Sequence, residues 1–166
     1  MADIEKFWSI IADCRAKSPS LDDLEGGLID TLKACSVEEI LDFQAAFDEC
    51  SDRAYRWDLW GAAYVMNGGC SDDGFDYFIG WLIAQGKDYY EAALTDPERA
   101  GEALDPDDEA HFEEMLYVAG KAYEVATGQD DFYDKLPTRP RRNIQGEEWD
   151  EDDLDELFPN LTMKFD

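Results

Sequence analysis

Apolar residues recur at three- and four-residue spacing along nearly the whole of this chain, and no alternating strand pattern competes with them. Asp3 is placed to cap a helix from Ile4 to about Lys17, with Ile4, Phe7, Trp8, Ile11 and Cys14 in one stripe, and Ser18-Pro19 ends it. Ser20 with Asp23 opens a second helix carrying Leu21, Leu24, Leu28 and Leu32. The Gly26-Gly27 pair inside it costs about 1 kcal/mol per glycine, which predicts close packing or a break there. Ser36-Val37-Glu38-Glu39 is a capping box before a third helix with Ile40, Phe43, Phe47, Cys50 and Ala54 on one face. Such a chain is predicted to be all-α, a single compact multi-helix domain.

A turn near Arg56–Asp58 leads to a fourth helix that ends at Asn67-Gly68-Gly69, where glycine supplies left-handed backbone without a steric cost. Ser71 caps a fifth helix, which buries Phe75, Phe78, Ile79 and Leu82 and stops at Gly86; a short helix follows from about Asp88 to Leu94. Asp96-Pro97 and Asp105-Pro106 each set a cap before a first-turn proline. The second of these predicts a long helix from Pro106 to Thr127, with Phe112, Met115, Leu116, Ala119, Tyr123 and Ala126 in register. Beyond Gln129 the regularity fades. Four of the fourteen basic residues fall between Lys135 and Arg142, and eight acids fall between Glu147 and Glu156. The organisation expected is a helical core over 1–128 and an irregular charged tail over 129–166 within the same domain. That extended acidic tail is held by a short helix after Asp150 that docks Leu154, Leu157 and Phe158.

With 41 acidic against 14 basic side chains the chain carries a net charge of −27. A duplex as long as such a domain is wide, about 40 Å, carries roughly 23 phosphates, so the charge is of DNA-like size. That field opposes direct nucleic-acid binding and membrane binding, and it favours basic partners or simple solubility. The 45% hydrophobic content is enough to fill a core despite the charge. The four cysteines, Cys14, Cys35, Cys50 and Cys70, form no C-x-x-C pair, so reduced thiols and a cytoplasmic location are expected, with no disulfide or zinc framework. MADIEKFW lacks the basic start and apolar core of a secretory signal, and no stretch of eighteen apolar residues occurs.

The densest chemistry lies between Arg53 and Gly86. Arg-Ala-Tyr-Arg-Trp-Asp-Leu-Trp-Gly-Ala-Ala-Tyr from Arg53, Asn-Gly-Gly-Cys-Ser-Asp-Asp-Gly-Phe-Asp-Tyr-Phe from Asn67 and Trp-Leu-Ile-Ala-Gln-Gly from Trp81 resemble the bacterial family named domain of unknown function 4240. The resemblance extends to Glu5-Lys6-Phe7-Trp8 and to Trp149–Leu154 followed by Leu157-Phe158-Pro159. It implies a bacterial cytosolic domain and no particular chemistry.

Read as chemistry, Arg53 and Arg56 beside Trp57 and Trp60 form a cationic and aromatic pair suited to a carboxylate or a flat ligand; pairing with Asp52 or Asp58 is their structural alternative. Cys70 precedes a helix N-terminus, which lowers thiol pKa, but Asp72 and Asp73 oppose that effect. Asp72, Asp73 and Asp76, with Asp58 more distant, are oxygen ligands for a hard cation, or simply first-turn acids that stabilise a helix. Gly68-Gly69 lacks the phosphate-loop pattern, and the lone histidine, His111, leaves a catalytic triad little material. No cofactor is implied. The function expected is a binding or regulatory module that recognises a small ligand or a partner protein, a basic one included, through Arg53, Arg56, Trp57, Asp58, Trp60, Asn67, Cys70, Ser71, Asp72 and Asp73. A carboxylate-based, metal-dependent enzyme and an acidic DNA mimic are the alternatives.

Overall fold

Helix starts in this protein follow their side-chain caps. In the computed structural model, which describes residues 2–165, Asp3 accepts from the Lys6 N–H ahead of α1 (Ile4–Ala16), and Ser20 accepts from the Asp23 N–H ahead of α2 (Leu21–Lys33). Before α3 (Val37–Ala54) the capping box closes in both directions. The Ser36 N–H donates to Glu39 Oε1 at 3.0 Å and the Glu39 N–H donates to Ser36 Oγ at 3.1 Å. The described residues hold nine α-helices, several short 3₁₀ turns and no strand, so the chain is all-α. None of these helices is long and apolar enough to cross a membrane.

The chain divides into two compact units, each assembled from separate stretches. The first takes residues 2–50 and 114–141. In it α2 packs on α1 and on α7 (Val118–Thr127), and the apolar stripes read from the sequence are buried: Phe7, Ile11, Leu24, Leu28, Leu32, Ile40, Phe43 and Phe47. The Phe7 ring lies 4.8 Å from that of Phe43. Gly26-Gly27 neither breaks α2 nor marks a tight crossing. A Cβ on Gly26 meets nothing within 4 Å, and one on Gly27 meets Ser18 Oγ at 3.6 Å, an ordinary contact.

The second unit takes residues 51–113 and 142–165. Here α4 (Trp57–Asn67), α5 (Asp72–Ala84), α6 (Lys87–Thr95) and a 3₁₀ turn at Pro97–Gly101 form a helical platform. The returning C-terminal stretch adds a 3₁₀ turn at Glu151–Asp153, α8 (Leu154–Leu157) and α9 (Pro159–Phe165).

Two further expectations are corrected. No helix starts at Pro106: beyond a 3₁₀ turn at Glu113–Leu116, only Val118–Thr127 of the predicted Pro106–Thr127 span is α-helical. Tertiary hydrogen bonds outcompete helix propensity, because the Asn67 amide accepts from the Ala110 N–H at 2.9 Å and donates to the Ala110 carbonyl at 3.1 Å. The Phe112 N–H donates to the Tyr77 carbonyl at 3.1 Å. Those donors and acceptors are therefore spent outside a helix. In the tail, Leu154, Phe158 and Leu161 are buried but Leu157 is 53% exposed. The helix breaks at Phe158, with φ −131° and ψ 64°, so Phe158 rather than Leu157 follows Leu154 inward.

Candidate functional site

Between Tyr55 and Trp60 the backbone leaves α3 and re-enters helix, and a stretch near residue 145 pairs with that opening. The Trp57 N–H donates to the Gln145 carbonyl at 2.9 Å and the Gln145 N–H donates to the Tyr55 carbonyl at 3.2 Å, a single parallel bridge. Trp149 Nε1 donates to the Trp57 carbonyl at 2.6 Å, and its ring meets Trp57, Trp60 and Tyr64 edge-on. Beneath it, Trp57 stacks on Trp60 and Trp60 on Phe75, each at 5.2 Å and within 9° of parallel. Gly61 makes this approach possible. A Cβ there would stand 2.7 Å from Phe158 Cε2, 3.0 Å from Trp149 Nε1 and 3.2 Å from Leu154 Cδ2.

The other end of the C-terminal stretch is tied by charge. The Glu98 carboxylate accepts from the backbone N–H groups of Asn160 at 2.7 Å and Leu161 at 3.2 Å, filling open donors in the first turn of α9. Lys164 Nζ donates to the Gly101 carbonyl at 2.6 Å. At the start of the stretch, Arg142 pairs with Asp76 at 2.9 Å, and its guanidinium lies 4.1 Å from the centre of the Tyr55 ring.

Between these ties an open cleft of about 990 Å³ remains within the second unit. Trp149, Leu157, Phe158 and Pro97 give it an apolar lining. Seven acidic residues stand around them: Asp58, Asp96, Glu98, Glu147, Glu148, Asp153 and Glu156. Arg56 is the one basic residue lining it among the described residues, and that charge is engaged. Its Nε and Nη2 donate to the two Asp58 carboxylate oxygens at 2.9 and 2.7 Å, and Nη2 also donates to the Leu94 carbonyl at 2.8 Å.

The residues singled out in the sequence thus fall into separate places. Arg56 and Asp58 border the cleft, while Trp57 and Trp60 lie in the aromatic stack behind it. Arg53 is exposed and sits 5.9 Å from the Tyr90 ring centre. Asn67 clamps the Ala110 backbone. Ser71 caps α5 by accepting from the Gly74 N–H at 3.0 Å, with Asp72 and Asp73 exposed in the first turn. Tyr55 Oη donates to Asp72 at 3.4 Å. Cys70 lies against Trp60, whose Nε1 donates to the Cys70 carbonyl at 2.9 Å, and burial pushes its thiol pKa up to about 12. Among the described residues no three histidine, cysteine, aspartate or glutamate side chains are grouped to hold a metal ion.

What sequence reasoning missed is the cleft's far wall, Gln145 to Phe158. Its signal was a tryptophan standing alone among acids at Glu147-Glu148-Trp149-Asp150, since a large ring in so polar a run needs a surface to cover it.

Fold and cleft together define an all-α acidic protein with one unit folded around its own C-terminal stretch. The chain belongs to the family described as Protein of unknown function (DUF4240), which matches residues 2–125. No curated protein matches the chain, and neither does any solved structure. The matched span holds the platform, α4 to α6, and stops before the segment that walls the cleft.

Proposed function

We propose that the protein is a binding or regulatory module of the cytoplasm that recognises a small ligand or a partner protein through the cleft beside Arg56 and Asp58, at one end of the Arg53–Asp73 stretch. The observation that carries this reading is the cleft itself. Its volume, about 990 Å³, lies at the top of the range usual for ligand sites, and it combines an apolar lining with charged residues that fix orientation. The Asn67–Asp73 end is occupied with helix ends: an amide clamp, a cap and first-turn acids. Four free cysteines, none in a disulfide, accord with a reducing compartment.

A thermal-shift screen tests the reading, using polyamines, basic peptides, nucleotides and small carboxylates at low and high salt. The wild type is run beside Glu148→Gln/Glu156→Gln and beside Asp73→Asn. A ligand at a hundred times its Kd stabilises by about 2.7 kcal/mol. A shift that persists in salt and disappears in the Glu148/Glu156 variant supports the cleft. A shift lost only in Asp73→Asn moves the site to the α5 N-terminus and refutes this assignment.

A further inference from the structure

Taking the cleft as the binding surface, we infer that its occupant is a basic linear segment of another protein, one that carries an apolar side chain between lysines or arginines. The two halves of that description come from different features of the cleft. Leu157 is 53% exposed on the cleft lining although its neighbours Leu154 and Phe158 are buried, so an apolar contact is presented outward in the cleft that Pro97 and Trp149 also line. Around it stand carboxylates such as Glu147, Glu148, Asp153 and Glu156, with the Arg56 guanidinium already taken by Asp58. Such a surface complements cations and repels anions.

The form of the occupant follows from the shape of the site. An open cleft does not enclose most of a small molecule's surface, as ligand pockets commonly do, but it accommodates a chain laid along it. One wall also suits a polypeptide. From Gly146 to Trp149 the main chain is outside any helix and makes no backbone hydrogen bond with the described residues, which leaves donors and acceptors for an extended segment. A second copy of this chain fits poorly, because two bodies of charge −27 repel. Nucleic acid is excluded by the same sign.

The test is fluorescence anisotropy with a labelled peptide of alternating lysine and leucine. The comparison probes are a lysine–serine peptide of equal charge, a glutamate–leucine peptide and spermine. The inference expects the lysine–leucine peptide to bind and the glutamate–leucine peptide not to bind. Losing two carboxylates in Glu148→Gln/Glu156→Gln should weaken binding roughly fivefold to tenfold. Leu157→Ser should weaken it further, with far-UV circular dichroism confirming an unchanged fold, whereas Asp107→Asn/Asp108→Asn removes equal charge from exposed positions outside the cleft and should leave affinity near wild type.

Equal binding of the lysine–serine peptide, or equal weakening by the Asp107/Asp108 pair, would mean that the overall field attracts the peptide, and would overturn the inference. Spermine displacing the peptide with matching affinity in a manner sensitive to Glu148 and Glu156 would keep the cleft as a binding surface but refute the segment. Absence of binding by all cationic probes would refute the inference, and the thermal-shift screen with nucleotides and small carboxylates then decides separately whether the cleft is a binding surface.

Discussion

Replacing Gly61 by alanine adds one methyl group to a helix whose neighbour is the C-terminal stretch, and the sign of the outcome depends on two opposing effects. In the middle of a helix the change from glycine to alanine is intrinsically favourable by about 1 kcal/mol. Against it, the new Cβ would stand 2.7 Å from Phe158 and 3.0 Å from the Trp149 indole nitrogen. Neither neighbour yields easily, since Trp149 is held by its hydrogen bond to the Trp57 carbonyl and Phe158 is buried. Overpacking of this kind costs typically about 1–3 kcal/mol. The net expectation is a change between neutral and about 2 kcal/mol destabilising. Gly26→Ala supplies the reference. It lies inside α2, is exposed, and its Cβ would meet nothing within 4 Å, so it should show the favourable effect alone. The intrinsic backbone contribution cancels between the two variants, and their difference reports the clash. With an m-value of about 2 kcal/mol/M, a gap of about 1–3 kcal/mol separates the urea midpoints by roughly 0.5–1.5 M. Urea titration followed by tryptophan fluorescence and far-UV circular dichroism measures it. If Gly61→Ala were stabilised as much as Gly26→Ala, the Gly61 contact with residues 149–158 would not exist in solution.

Other parts of the structure make further predictions. The Cys70 thiol, pushed up to about 12 chiefly by burial, stays protonated at neutral pH, so mass spectrometry after brief iodoacetamide treatment of the folded protein should find little Cys70 adduct; rapid labelling there would contradict the structure. Glu39 is held at a pKa of about 2 by its hydrogen bond to Lys6, with the Ser36 N–H and hydroxyl contributing. Because the folded value lies below the unfolded one, its stabilisation is full above the ordinary carboxylate range and is lost as pH falls from there toward about 2. Glu39→Gln should therefore lower the melting temperature at pH 7 and lose that effect in strong acid; a pH-independent difference would refute it. Arg142→Lys should destabilise by about 1 kcal/mol despite keeping its charge, because an ammonium does not reproduce the guanidinium's stacking on Tyr55. A double-mutant cycle with Tyr55→Leu checks whether that loss comes from the ring.

Much of the fold was legible because caps and apolar stripes agreed with each other. Asp3, Ser20, Ser36 and Ser71 each accept the backbone hydrogen bond that their position before a helix implies, and the stripes behind them are buried. The Pro106 helix was misread for the converse reason. Its spacing fits a helix, but the Asn67 amide and the Tyr77 carbonyl, distant in sequence, take the backbone groups a helix needs. The site was half legible. Arg56 and Asp58 were found from local chemistry, while Trp149, Leu157 and Glu98 were not, because a wall made of residues roughly forty to a hundred positions away leaves no local periodicity to read.

The tryptophan- and arginine-rich stretch from Arg53 to Trp60 has the composition of a recognition surface, and in this fold part of what it recognises is the chain's own C-terminal segment. Stacked rings at Trp57 and Trp60, a missing side chain at Gly61 and the Tyr55 and Trp57 backbone together receive Gln145, Trp149, Leu154 and Phe158. Self-recognition does not exhaust the surface. Covering the stack with a segment so rich in acids places those acids, and the outward Leu157, along the new rim. The platform, with Asp58, Asp96 and Glu98, lies within the span matched by the family, but the part of the rim that the C-terminal segment adds lies beyond it. The outward Leu157 and the acids of the C-terminal segment are therefore features of residues outside the matched span, added to a platform inside it.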